Sequence, residues 1–109
     1  MNLKQLTGQW RIIETDQWSS EDLDMLGPAQ ITFGRQGHGD LQMLAIEASI
    51  DYEISQRNGQ PFVEFSWSGF DEGDPVSGRC WACIDSGLLS GRLLIHEGDK
   101  CSFVAKRQE

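Results

Sequence analysis

The stretch L-T-G-Q-W-R-I-I-E, from Leu6 to Glu14, decides the fold of this chain. It predicts a β-strand with a glycine and a tryptophan two residues apart near its start. We expect this strand to close a small barrel, because it can pair with the second strand on one side and with the last strand on the other. The rest of the chain must then supply seven further strands.

Length and charge narrow the class of protein. A chain of 109 residues predicts one domain, spanning residues 1–109, with a single core. There are 17 acidic residues against 9 Lys and Arg, a formal net charge of -8. A nucleic-acid binder needs a basic face, and an anionic membrane attracts one, so this balance argues against both partners.

The start of the chain, M-N-L-K-Q-L-T-G, lacks the apolar segment of a secretory signal. No run approaches the ~18 apolar residues of a membrane span. Together with three cysteines, these features predict a cytoplasmic protein with free thiols.

The clearest strand pattern runs from Glu47 to Ser55, where apolar and polar residues alternate. Asn58-Gly59 then predicts a two-residue hairpin turn with positive φ at both positions. Folding the chain there brings the apolar residues of two strands to one face, as three pairs: Ile54 with Val63, Tyr52 with Phe65 and Ile50 with Trp67.

Two more hairpins follow from the same reasoning. A turn at Ser86-Gly87 places Ile84, Ala82 and Cys80 across from Leu89, Gly91 and Leu93. A three-residue loop, Glu97-Gly98-Asp99, places Ile95 and Leu93 opposite Cys101 and Phe103.

Eight strands are predicted, at 9–15, 29–34, 39–45, 48–56, 61–68, 76–84, 88–95 and 101–107. One short helical segment is predicted in the first loop, between the first two strands, where Ser19 and Asp22 form an N-cap pair. The fold class is therefore an all-β, eight-stranded up-and-down antiparallel barrel.

Gly8-x-Trp10 at the start of the first strand, together with Arg107 at the end of the last, resembles the lipocalin and wider calycin signature. The resemblance implies that Trp10 plugs the closed end of the barrel and that Arg107 packs over it. A cation above an indole ring is attracted to it, most strongly where water is excluded. The chain is shorter than a typical lipocalin and lacks lipocalin disulfides.

Three further segments are similar to a family of short uncharacterised bacterial proteins. They are F-S-W-S-G-F-D-E-G-D (Phe65–Asp74), V-S-G-R (Val76–Arg79) and H-E-G-D (His96–Asp99). This similarity implies no function.

The spacing Cys80-x2-Cys83-x12-His96-x4-Cys101 looks like a zinc-finger pattern. However, residues three apart on a strand point to opposite faces, so Cys80 and Cys83 cannot share one ion. The sequence therefore predicts no metal site and no cofactor, with Cys80 and Cys101 as small core residues.

The predicted inward set is almost entirely apolar, and Tyr52 carries its main polar group. Two interpretations remain open, a packed interior and a cavity for a small apolar or cationic ligand near Tyr52 and Trp67. Trp18, on the longest loop, would be a partial lid. No catalytic arrangement stands out, so the leading function is a non-catalytic binding barrel.

The alternative is a protein-interaction module. On the outer face, Trp81 lies across from Arg92 with Val104 and Leu94 nearby, which predicts an interface for a homodimer. Four loops also gather at the end away from the termini and predict an acidic mouth that attracts a basic protein segment. The residues proposed for this mouth are Asp71, Glu72, Asp74, His96 and Asp99. A metal-assisted enzyme at these loops is the third interpretation.

Overall fold

The computed structural model describes residues 3–108, and its strands form one closed antiparallel barrel. The eight strands follow one another around the barrel in chain order, and β1 pairs with both β2 and β8. The predicted barrel is therefore confirmed. The strands are β1 (Gly8–Thr15), β2 (Gln30–Phe33), β3 (His38–Met43), β4 (Ile46–Arg57), β5 (Gln60–Asp71), β6 (Asp74–Asp85), β7 (Leu88–Ile95) and β8 (Lys100–Arg107).

Two short helices close the ends of the barrel. The predicted helical segment is α2 (Ser20–Leu23), and the Ser19 hydroxyl accepts a hydrogen bond from the Asp22 backbone N–H at 3.2 Å. A second helix, α1 (Leu3–Leu6), was not predicted, because four residues are too few for a periodic pattern. Leu6 and Leu23 are both buried in the core, one at each end. Neither helix is long and apolar enough to cross a membrane within the described residues.

The hairpin registers derived from turn residues are confirmed for β4–β5 and β6–β7. Asn58 and Gly59 have φ of 52° and 78°, and all three predicted pairs of that hairpin form. Ser86 and Gly87 have φ of 54° and 80°, and Ile84, Ala82 and Cys80 pair as predicted.

The connection between β5 and β6 differs from the prediction. A loop was expected over 69–75, but the two strands run on until Asp71 pairs with Asp74. Glu72 and Gly73 form a two-residue turn with φ of 52° and 89°. The predicted loop was wrong because Glu-Gly, unlike Asn-Gly, is a weak turn signal.

The register of β7 with β8 is also corrected. Leu93 pairs with Cys101 and Gly91 with Phe103, so the predicted register was wrong by two residues. The three-residue loop begins at His96 rather than Glu97, and the Ile95 N–H donates to the Asp99 carbonyl at 2.9 Å. An even shift leaves every side chain on its predicted face.

Apolar side chains fill the barrel, and no polar or charged residue is buried among those described. Trp67 needs a neighbour without a side chain, since a Cβ at Gly78 would lie 2.5 Å from its ring. The predicted inward residues all belong to this core or pack against its edge, with Ile54, Ile84 and Ile95 only partly buried.

Candidate functional site

The two interior residues predicted to bind a ligand differ in what their polar atoms do. The Tyr52 hydroxyl donates to the Gly34 carbonyl, and its ring meets Phe33 edge-on with centroids 5.0 Å apart. Burial raises the pKa of the Tyr52 hydroxyl. This hydroxyl is therefore already bonded within the barrel.

Trp67 is only 2% exposed, and its Nε1–H has no acceptor among residues 3–108. A buried donor without a partner costs about 1–3 kcal/mol. The Trp67 N–H is thus a polar group that an acceptor atom entering the barrel could satisfy. Trp18, the predicted lid, is half-buried and packs against the edge of the core.

The closed end is built around Trp10 and Arg107. The Arg107 guanidinium lies 4.6 Å from the centre of the Trp10 ring, and its Nη1 donates to the Thr7 carbonyl at 2.7 Å. Trp10 Nε1 donates to the Leu6 carbonyl at 2.8 Å. Gly8 has φ of 119°, and a Cβ there would lie 3.0 Å from Arg107 Nη1. The glycine, the tryptophan and the arginine therefore form one packed unit.

At the opposite end lie the first loop, the turns 44–45 and 72–73, and the loop 96–98; we call this the acidic end. Asp71 and Asp74 are the last and first residues of their strands, while Glu72 forms the turn between them. His96 and Asp99 lie in or beside the last loop and are exposed. Further exposed carboxylates there are Asp16, Glu21, Asp22, Glu47 and Glu97.

The first loop packs across the acidic end. Asp24 forms a salt bridge with Arg11, and its other oxygen accepts from the Ala29 N–H at 2.9 Å. The Leu44 N–H donates to the Leu23 carbonyl at 2.8 Å. These bonds hold α2 over the barrel, so the interior is covered at this end too.

Three large apolar side chains are exposed beside these carboxylates. Met25 and Phe70 are each 58% exposed and Leu26 is 46% exposed. The Gln42 amide, next to the loop, donates to the Pro28 carbonyl at 2.9 Å. Sequence reasoning missed all three apolar residues, although alternation along β5 would have placed Phe70 outside had the strand been extended.

These apolar residues lie on one side of the acidic end. Gln42 on β3 pairs with Glu47 on β4, and Glu47 pairs with Phe70 on β5, so these three residues lie side by side across the sheet. The loop and Phe70 are therefore separated by roughly two strand spacings, ~10 Å.

The outer face of β4–β7 carries a groove of about 520 Å³. Trp81, 40% exposed, stands in it, across from Glu64 on one side and Arg92 on the other. Leu94 lines the same groove, whereas Val104 lies one strand further and is half-buried. The groove also contains five charged residues that the sequence prediction did not select: Asp51, Glu53, Arg57, Glu64 and Arg79.

The cysteines occupy two faces of the sheet. Cys80 and Cys101 are buried in the core, while Cys83, three residues from Cys80, is partly exposed. Burial raises the pKa of the Cys101 thiol to about 11 and that of Cys80 well above its usual range. No group of three or more His, Cys, Asp or Glu side chains converges as a metal site in the part of the chain that the structure describes.

Comparison with known proteins gives no match, whether with family models, curated proteins or solved structures.

Proposed function

We propose that this barrel is a non-catalytic interaction module that binds a basic, amphipathic segment of a protein partner at its acidic end. The observation that carries the proposal is the placement of Met25, Leu26 and Phe70, three exposed apolar side chains, beside a cluster of carboxylates. Exposed apolar groups rimmed by charge are typical of contact surfaces.

The spacing of this surface suits a helix. The first loop and Phe70 flank Gln42 and Glu47, and the gap of ~10 Å between them matches the width of an α-helix. Apolar anchors on such a helix would contact Met25, Leu26 and Phe70, and its Lys or Arg residues would meet the carboxylates. The formal net charge of -8 would also accelerate the approach of a basic partner.

The packed interior supports a surface function over an internal one. The inward side chains are nearly all apolar and buried, as in eight-stranded barrels filled by their own side chains, and short helices lie over both ends.

The experiment uses a labelled synthetic peptide that forms an amphipathic helix, with Leu residues on one face and Lys residues on the other. A scrambled peptide of the same composition is the control. Fluorescence anisotropy should show micromolar binding of the amphipathic peptide that weakens as salt is raised. Phe70→Ser should weaken binding at least tenfold, while Trp81→Ser, at an aromatic residue that is 40% exposed and lies outside the acidic end, should not. Equal binding of the scrambled peptide, or equal damage by both variants, would refute the proposal.

A second candidate function is a carrier of a small molecule in the barrel, and the unpartnered Trp67 N–H favours it. The ligand would be largely apolar, with one acceptor atom aimed at Nε1. Native mass spectrometry of protein from its own host tests this, since a bound ligand adds a discrete mass that Trp67→Phe should reduce. A spectrum of unliganded protein alone would count against the carrier.

A further inference from the structure

The outer face of the barrel changes charge from one side to the other. All carboxylates of the groove lie on β4 and β5, together with one cation, Arg57, which lies over the Phe62 ring. The charged residues of the groove on β6 and β7 are basic. The acidic half consists of Asp51, Glu53 and Glu64, and the other half of Arg79, Trp81, Arg92 and Leu94. The boundary falls between Glu64 and its cross-strand neighbour Trp81.

Within one chain these charges are poorly arranged. Glu53 lies directly opposite Glu64, and like charges at paired positions are destabilising. Neither Arg79 nor Arg92 has a carboxylate oxygen within 4.0 Å among residues 3–108. Trp81 has no cation stacked on its ring in the same range of residues. The face therefore carries unmatched groups of both signs.

We propose that a second copy of this chain covers the face, related by a two-fold axis that lies in the interface, parallel to the strands and along the boundary between β5 and β6. Such an axis places the acidic half of each copy against the basic half of the other. Glu53 and Glu64 then face Arg79 and Arg92 of the second copy, and the two Trp81 side chains lie near the axis. Central aromatic and arginine side chains are the usual anchors of an interface.

Other partners fit the face less well. A nucleic acid or an anionic membrane would meet Arg79 and Arg92 but also the acidic half. A second copy supplies both charges in the required order by symmetry alone.

The test uses two reversed variants. Glu53→Arg with Glu64→Arg makes the face mainly basic, with Asp51 as the remaining carboxylate, and Arg79→Glu with Arg92→Glu makes it mainly acidic, with Arg57 as the remaining cation. Sedimentation velocity should show that the wild type is dimeric at micromolar concentration. Each reversed variant alone should associate at least 100-fold more weakly, and an equimolar mixture should form a heterodimer within tenfold of the wild-type affinity.

Matched controls carry the same changes in net charge elsewhere: Glu21→Arg with Glu97→Arg, and Lys4→Glu with Arg35→Glu. Both should remain dimeric, and circular dichroism should show all variants folded. A monomeric wild type, a mixture without heterodimer, or equal weakening by the controls would overturn the proposal. The inference is independent of the peptide site, because neither reversed pair lies at the acidic end.

Discussion

At the scale of single residues, two buried tryptophans differ in one hydrogen bond. Trp10 and Trp67 are each 2% exposed, but the Trp10 N–H is bonded to Leu6 and the Trp67 N–H has no acceptor among the described residues. Trp10→Phe loses that bond and the contact with Arg107, each about 1 kcal/mol. Trp67→Phe instead removes an unpaired donor. We expect Trp10→Phe to lower the free energy of unfolding by ~1–2 kcal/mol more than Trp67→Phe.

Urea denaturation of both variants measures this difference. Arg107→Lys on the wild-type background serves as a control, because lysine keeps the charge but not the planar guanidinium that lies over Trp10. It should destabilise Trp10→Phe less than it destabilises the wild type, because in that variant only the bonds of Arg107 to the Thr7 and Gln5 carbonyls remain to be lost. If Trp67→Phe proves the more damaging substitution, Trp67 has an acceptor in solution.

The three thiols provide a second prediction at this scale. Cys83 is partly exposed, while Cys80 and Cys101 are buried and their pKa values are raised by burial. Since the thiolate is the reactive form, a disulfide reagent should titrate one thiol of the folded protein quickly and the other two only on unfolding. Cys83→Ser should abolish the fast phase. Fast reaction of a second thiol would show that the core opens readily.

At the scale of elements, the first loop depends on Asp24. Its carboxylate bonds both Arg11 on β1 and the backbone of Ala29, and thereby holds α2 over the barrel. Both partners of the salt bridge are about one-third exposed, so solvent screens it. Asp24→Asn should cost ~1–2 kcal/mol locally and accelerate amide exchange in the first loop about tenfold.

Asp22→Asn is the matched control, because Asp22 contributes its backbone N–H to the cap with Ser19. It should leave exchange in the loop unchanged. Faster exchange across all strands in Asp24→Asn would instead mean that the loop and the barrel unfold together.

The elements also show how far the sequence could predict the fold. The strand registers were predicted correctly where a turn contains Asn-Gly or Ser-Gly. Positive φ at both residues fixes the geometry of the turn, and the turn fixes which residues pair. The loop before Asp99 was misplaced because alternation cannot distinguish registers that differ by two residues. Helix α1 is held by contacts with Trp10 and Arg107 from elsewhere in the chain, which no local pattern reveals.

The candidate sites were predictable only in part. Alternation correctly placed Trp81 and Arg92 on the outer face. Alternation along β5 also points Phe62 outward, yet it is only 8% exposed because Arg57 lies over its ring at 5.0 Å. Met25 and Leu26 belong to a loop without periodicity, so their exposure depends on how the Asp24 contacts fold that loop.

At the scale of the whole molecule, the two proposed surfaces complement each other. The acidic end and the outer face of β4–β7 are distinct, so a dimer would leave both acidic ends free. Two linked sites raise the apparent affinity for a partner with two basic segments, without any new contact. The reversed variants of the outer face should therefore bind a peptide with one basic segment as tightly as the wild type does. They should not show the higher apparent affinity that the wild-type dimer has for a tandem peptide with two such segments.

The pH dependence of global stability follows from the buried groups. Folding raises the pKa of Cys101 from 9.0 to about 11, and burial also raises those of Cys80 and Tyr52. Above pH ~9 the unfolded chain therefore loses thiol protons that the folded barrel retains, which favours unfolding. Through Cys101 alone, stability should be full below pH ~9 and fall by about 2 kcal/mol by pH 10.5, roughly 10 °C in Tm, and Cys80 adds to this fall.

Calorimetry under reducing conditions measures this fall. The double variant Cys80→Ala with Cys101→Ala removes both buried thiols, and although its Tm should be lower throughout, its decline between pH 8.5 and 10.5 should be shallower. Cys83→Ser, at a partly exposed position, should keep the wild-type slope. If the double variant declines as steeply as the wild type, the alkaline loss comes from other groups, and the two thiols ionise equally in the folded and unfolded chains.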